Sequence, residues 1–182
     1  MAEGDTESRN KQAVHAAFDA WQHGTAGNVF DLLAPNATWT IVGNSPISRT
    51  YISRQEFLDL VIKPFNARLS RRLEPTVRGI YADGDMVIAL FDAEGTARDG
   101  KPYKNTYTWY IQMRDGQIVN VVAFFDTIVL TDFWTRINPE QTASQAHDVT
   151  FKKFDLPTSF MHGDDDQIVP SDVSTMRSTE IV

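Results

Sequence analysis

The chain has 182 residues, 42% hydrophobic and 23% charged, a globular composition sized for one domain plus a tail. Its net charge of −7 divides unevenly, with 14 Lys and Arg against 16 Asp and Glu over residues 1–137, and 3 against 8 over residues 138–182. Neither part offers the basic face that a phosphate backbone requires, and the absence of cysteine removes disulfides, thiol nucleophiles and cysteine metal ligands together.

Residues 1–10 form a polar, acidic N-terminal extension unlike a signal peptide, and no apolar run approaches about 18 residues. A cytoplasmic protein with no membrane partner is therefore expected. From Asn10 to His23, Val14, Ala17, Phe18 and Trp21 recur at spacings of three and four, which predicts an amphipathic helix stopped by Gly24. A second short helix is predicted over Asn28–Leu33, then a strand over Ala37–Gly43, rich in β-branched and aromatic residues. Ser53 followed by Glu56 reads as a capping box opening a helix to about Phe65, with a kink or break at Pro64. Four strands follow: Thr76–Ala82, Met86–Ala93, Tyr103–Met113 and Gln117–Phe125. Turn signals at Asp83-Gly84-Asp85, Asp99-Gly100 and Arg114-Asp115-Gly116 make them an antiparallel meander. Helices segregated to one end of a continuous antiparallel sheet predict an α+β fold.

Both sheet faces are expected to be apolar. In Thr106–Met113 and Val119–Phe125, apolar side chains occupy odd and even positions alike, whereas a solvated face alternates more cleanly. One face is expected to pack on the helices and the other on a second subunit, as a homodimer.

This order and its residues resemble the SnoaL-like branch of the ketosteroid-isomerase and nuclear-transport-factor superfamily over residues 11–137. The stretches that carry the resemblance are Phe18-Asp-Ala-Trp-Gln-His-Gly24, Phe30-Asp-Leu-Leu-Ala-Pro-Asn-Ala-Thr-Trp39 and Tyr103-Lys-Asn-Thr-Tyr107, with Asp115-Gly-Gln-Ile-Val119 leading to Ala123-Phe-Phe-Asp126. The resemblance implies a cone-shaped half-barrel, a curved antiparallel sheet whose helices close an apolar pocket. It implies function only weakly, because one fold hosts isomerases, cyclases, epoxide hydrolases and non-catalytic binders. Where ketosteroid isomerases hold a first-helix Tyr, a catalytic Asp and a second acid, this chain matches Ala17 or Phe18, Thr40 or Ile41, and Thr108. The epoxide hydrolases' last-strand Asp matches Ala123, and no Arg-x-Asp lies on Tyr103–Met113. Neither of those mechanisms is expected. The cyclases lean on one acid near the last strand, for which Asp126 is the candidate.

Asp126 is expected either to serve as acid or base in the pocket or to cap a helix starting near Ile128. Tyr103, Asn105 and Tyr107 share one strand face by the two-residue period, as pocket-mouth groups or as core and interface residues. In the pocket reading Tyr107 and Asn105 orient a small, mostly apolar ligand beside Asp126. Trp21, Trp39, Phe57, Tyr103 and Phe125 supply ligand-binding wall. Such chemistry needs no metal or organic cofactor. The alternative is a non-catalytic dimeric ligand-binding or structural module. Arg68, Arg71 and Arg72 read as a solvated basic cluster in preference to an anion site, and Gly43–Arg49 as a lid or a plain connector.

Residues 138–182 form a C-terminal extension. Within it, Phe151–Pro157 and Met161–Pro170 resemble a fragment of α/β-hydrolases of the non-haem haloperoxidase and esterase type, with Asp166 matching the triad acid. The chain carries no Gly-x-Ser-x-Gly elbow and no His after Asp166, so triad chemistry is not expected.

Overall fold

A computed structural model describes residues 3–139; the motifs at 147–182 lie outside the described residues. The fold is α+β: helices close one face of a curved, unclosed sheet of six strands. Helix α1 (Glu3–His23) starts seven residues before the apolar periodicity does. It ends at Gly24, whose positive φ of 68° turns the chain so that the Thr25 N–H reaches back to the Ala20 carbonyl at 2.9 Å. Asn28 caps a single 3₁₀ turn, Val29–Leu32, and the Asp31 carboxylate reaches back to the Asn28 N–H as a full capping box.

Strand β1 (Leu33–Ile41) includes Pro35, which sits where pairing with the last strand slips register between Leu33 and Thr38. A two-residue strand, β2 (Thr50–Tyr51), pairs antiparallel with β1. The predicted Ser53–Phe65 helix is one continuous helical segment of three kinds: α2 (Arg54–Phe57), a π turn (Leu58–Ile62) and α3 (Lys63–Ala67). The Ser53 hydroxyl accepts the Glu56 N–H, while the Glu56 carboxylate accepts the N–H of Ile52, one residue before the expected partner. The expected irregularity at Pro64 takes the form of the π turn. There the Lys63 N–H reaches back five residues to Leu58, a widening just before a ring that cannot donate.

The meander follows as β3 (Leu69–Asp83), β4 (Met86–Ala97), β5 (Pro102–Arg114) and β6 (Gln117–Phe125), then helix α4 (Thr127–Arg136). Strand β3 begins seven residues before Thr76. Pro75 is tolerated because β3 is an edge strand, with the order β2-β1-β6-β5-β4-β3. The sheet is mixed, which corrects the expectation of a purely antiparallel one: β1 runs parallel to β6, in register from Thr38 opposite Asn120 to Ile41 opposite Ala123. These partners lie about eighty residues apart, so no turn between them signals their direction.

The core lies between the helices and the inner sheet face. Phe18 of α1 meets Phe91 of β4 with ring centroids at 4.8 Å, and Phe133 of α4 meets Tyr103 of β5 at 4.6 Å. Each fully buried side chain of this size stabilises the fold by roughly 1.5–3 kcal/mol.

Candidate functional site

The helices and the inner sheet face leave a cavity of about 600 Å³. Strand β5 presents Tyr107 and Trp109 to it, because their two-residue spacing sets both side chains on the inner face. Trp39 of β1 stacks on Phe57 of α2 at 4.2 Å and 12°, and Trp21 of α1 lies nearly parallel to Trp109 at 5.8 Å and 15°. Phe125, Ala123 and Ile41 complete the wall on the β1–β6 side. Leu58, Val61 and Ile62, all from the π turn, also line it, so the irregular turn shapes the cavity directly. Ile47 brings the Gly43–Arg49 segment into the wall, held there by the Tyr51 hydroxyl, which donates to the Ile47 carbonyl at 2.8 Å.

Polar groups are few. The one carboxylate lining the cavity among the described residues is Asp31. Its Oδ2 accepts the N–H groups of Gly27 and Asn28, both at 3.1 Å, and its Oδ1 lies 3.6 Å from Arg54 Nη2. Arg72 lines the cavity while donating to the carbonyls of Trp21 and Gln22, both at 2.8 Å, at the C-terminal end of α1 where a cation is favoured. Two buried side-chain atoms among the described residues lack a hydrogen-bond partner, Trp109 Nε1 and Arg54 Nε, and both belong to residues of this cavity.

The hydroxyls of Tyr107 and Tyr103 are 2.8 Å apart, and Asn105 Nδ2 donates to the Tyr103 oxygen at 3.2 Å. Among the described residues neither phenol has a further acceptor. Either hydroxyl can donate to the other; Tyr103 is packed against Phe65 and Phe133, whereas Tyr107 lines the cavity. Burial pushes the Tyr107 phenol well above its usual pKa of 10.0, and the neighbouring Tyr103 adds to the rise. Burial raises Tyr103 as well, against the hydrogen bonds from Tyr107 and Asn105. Both phenols are neutral donors, not bases, near neutral pH.

Of the residues named from the sequence, the cavity brings together Trp21, Trp39, Phe57, Tyr107 and Phe125. Tyr103 stands behind Tyr107, away from the lining. Asn105 and Asp126 line a separate groove of about 610 Å³ beside the start of α4, with Asp92, Glu94 and Lys104 among its other walls. The Asp126 carboxylate is exposed and accepts the N–H groups of Ile128 at 2.9 Å and Val129 at 3.2 Å, as the N-cap of α4. The Asn105 amide holds the same junction, accepting the Asp126 N–H at 3.0 Å and donating to the Asp126 carbonyl at 2.9 Å. The geometry therefore separates Asp126 and Asn105 from Tyr107, the third member of the expected trio.

Trp109, Asp31 and Arg54 carry no motif in the sequence that marks them as site residues, and Arg72 is marked there only as a member of the basic cluster. Trp109 follows Tyr107 by one strand period and was within reach of that rule. Arg54 and Asp31 come from helical turns, and Arg72 from the irregular start of β3, positions whose inward direction no local pattern encodes. Arg72, expected to be solvated, is exposed and also donates to the end of α1. Arg68 stacks over the Trp134 ring at 4.0 Å.

A family model described as "SnoaL-like domain" matches residues 14–121. Among solved structures, Bal32a from a soil-derived mobile gene cassette superposes with a TM-score of 0.61 at 18% identity, covering 71% of this chain and 98% of that one. TerC, co-crystallised with polyporic acid, gives 0.58 at 17%, covering 70% and 98%. IdmH from Streptomyces antibioticus, a proposed polyketide cyclase, gives 0.55 at 22%, covering 68% and 96%. At these identities the likeness shows the fold. A curated protein, the non-heme chloroperoxidase CPO-A1 of Kitasatospora aureofaciens, is 55% identical over 31 residues, 17% of this chain and 11% of that enzyme. The short haloperoxidase resemblance read in the C-terminal extension thus has a counterpart, on a chain that spans about a ninth of that relative's length. The family match runs over more than half of the sequence and coincides with a curved sheet closed by helices around a cavity, and the chain belongs to the SnoaL-like domain family.

Proposed function

We propose that the domain binds a small, mostly apolar ring molecule in the cavity between its helices and the inner sheet face. The observation that carries this reading is an aromatic-walled space of about 600 Å³ with few polar groups, a form typical of small-molecule sites. TerC, which shares the fold, is co-crystallised with a ring compound, polyporic acid, and IdmH is a proposed polyketide cyclase; both lend support by analogy.

Turnover in this cavity would draw on the Tyr107 hydroxyl, a neutral donor that stabilises charge developing on a ligand oxygen. The proton-accepting role expected for Asp126 is the weaker part of the reading, because that carboxylate caps α4 in the neighbouring groove. A non-catalytic binding module is the second reading, favoured by that same placement.

Ala123 lines the cavity and is 1% exposed, so Ala123→Phe fills it from the wall. Titration of an environment-sensitive naphthalene fluorophore is expected to show at least tenfold weaker binding to the variant than to the unaltered protein. Equal binding by two folded proteins would remove the cavity as the site. Native mass spectrometry of the purified protein, searching for a co-purified small molecule, identifies the natural ligand.

Dimerisation through the outer sheet face and a cytoplasmic location complete the proposal. In support of the dimer, Tyr81, Ile88, Tyr110 and Val122 face one another across four strands, and Phe124 packs edge-on to Tyr110 at 5.9 Å on the same exposed side. Among the described residues no helix is long and apolar enough to cross a membrane. Fractionation of cells expressing a tagged chain tests the location.

A further inference from the structure

Within the proposed binding function, on which this step rests, a hydrogen-bond relay that ends at the cavity says what the apolar ligand carries. We infer that Tyr107 donates its O–H to a carbonyl oxygen of the bound ring molecule, and that Asn105 and Tyr103 are positioning residues that turn this hydrogen toward it.

The relay starts at Asn105, whose buried amide has both ends engaged. Its Oδ1 accepts the N–H groups of Thr106 at 2.9 Å and Asp126 at 3.0 Å, which fixes Nδ2 as the donating end. Nδ2 then donates to the Asp126 carbonyl at 2.9 Å and to the Tyr103 hydroxyl at 3.2 Å. By distance alone either phenol can donate across the 2.8 Å between Tyr103 and Tyr107, and Asn105 decides between the two orders. The Tyr103 oxygen already accepts from Asn105, so its own hydrogen needs an acceptor. Tyr103 is 2% exposed and packed against Phe65 and Phe133, and the acceptor it meets among the described residues is the Tyr107 oxygen. The opposite order would leave a phenolic hydrogen unmet among aromatic rings, an arrangement that folded proteins avoid.

Tyr107 ends the relay and is the member of it that lines the cavity. Phe125 packs on Tyr107 at 5.2 Å and Phe65 on Tyr103 at 5.3 Å, and both of these rings are also cavity wall, so the lining extends to where the two phenols meet. Neither ring offers an acceptor to match an oxygen. The Tyr107 hydrogen is therefore completed by an oxygen of the ligand. Burial pushes this phenol well above its usual pKa of 10.0, which keeps it a donor near neutral pH. The same apolar surroundings make a carboxylate costly here and favour an uncharged oxygen. A carbonyl, which only accepts, suits the position better than a hydroxyl, whose own hydrogen would need a second acceptor from the same wall.

Two probes of nearly the same shape test this: 1-tetralone, and tetralin, which lacks the oxygen, each titrated against the full chain by calorimetry. The ketone is expected to bind roughly fivefold tighter. Its isotope-labelled carbonyl stretch, read by infrared difference spectroscopy, should lie below the value in an apolar solvent. Tyr107→Phe should remove both the preference and the downshift. Asn105→Asp tests the relay, because an ionised carboxylate accepts from Tyr103 instead of donating to it. That draws the Tyr103 hydrogen away from Tyr107 and the Tyr107 hydrogen onto Tyr103, so both signals should vanish with Tyr107 still in place. Equal affinity for the two probes, or a bound carbonyl with no downshift, overturns the inference and leaves the binding function standing. No binding of either probe overturns both. Signals that survive Tyr107→Phe refute the donor, and signals that survive Asn105→Asp refute the positioning roles. Should Asn105→Asp fail to fold, Tyr103→Phe decides. It should weaken the ketone preference, since the Tyr107 oxygen loses the bond that orients it; a stronger preference would show that Tyr107 had been donating to Tyr103, and would refute the relay.

Discussion

Asp126 shows how one carboxylate can be legible in two ways. A strand-end Asp before an apolar helix satisfies the sequence rule for a cap and the family pattern for a pocket acid equally well. The structure places its carboxylate on the Ile128 and Val129 N–H groups. Asp126→Ala is expected to cost about 1 kcal/mol in urea denaturation, and Asp126→Ser to recover most of it, because a serine hydroxyl caps the same turn. Neither change should alter ligand affinity, and a loss of affinity in the serine variant would return the acid to the functional site. Tyr107 makes a prediction in pH. Its folded pKa lies above the unfolded value of about 10, so its contribution is intact below pH 10. Stability falls as pH rises past that point, since the unfolded chain ionises first. Tyr107→Phe should be less stable than the unaltered protein at neutral pH, by about 1 kcal/mol for the lost hydrogen bond to Tyr103. That gap should narrow above pH 10, as followed by tyrosinate absorbance and circular dichroism.

At the scale of elements, periodicity and turn residues located every hairpin of the meander, and the missed boundaries share a cause. Proline and charged residues read as breakers, yet β3 carries Arg71, Arg72, Glu74 and Pro75 as an edge strand. There, bulges between Leu69 and Arg71 and between Arg71 and Glu74 absorb them. Gly95 of β4 sits opposite that irregular stretch. A Cβ there would lie 3.1 Å from the Arg71 carbonyl oxygen and 3.3 Å from that of Arg72, atoms of the backbone that have little room to yield. Gly95→Ala is expected to lose about 1–3 kcal/mol by chemical denaturation. Gly79→Ala serves as the contrast. Its Cβ would meet the Tyr81 hydroxyl at 2.6 Å, the far end of an exposed side chain that swings aside, so a change within about 0.5 kcal/mol is expected. Equal losses at the two glycines would discredit the bulge argument.

For the molecule as a whole, the two sheet faces divide the labour. The inner face builds the core and the cavity. The outer face presents Tyr81, Tyr110 and Phe124, exposed by 57%, 39% and 44%, in a band that the proposed homodimer would cover. Sedimentation velocity should show a dimer that Phe124→Lys converts to a monomer, since a charge at the centre of an apolar interface goes unpaired. A single monomeric species at all concentrations would refute the dimer while leaving the cavity untouched, because no cavity residue lies on that face.

Local sequence specifies the class of fold, the order of the helices and of every strand but the two-residue β2, and the aromatic character of the cavity. Each follows from local rules of turn chemistry, side-chain period and helix capping. The shared face of Tyr103, Asn105 and Tyr107 was likewise readable from spacing. Three-dimensional assembly alone sets β1 parallel to β6 and puts Asp126 and Asn105 in a different groove from Tyr107. It also decides that Trp109 and Arg54 line one cavity. These outcomes depend on which distant segments end up side by side. The course of the chain through the π turn and around the bulged edge settles that, and no window of neighbouring residues encodes it.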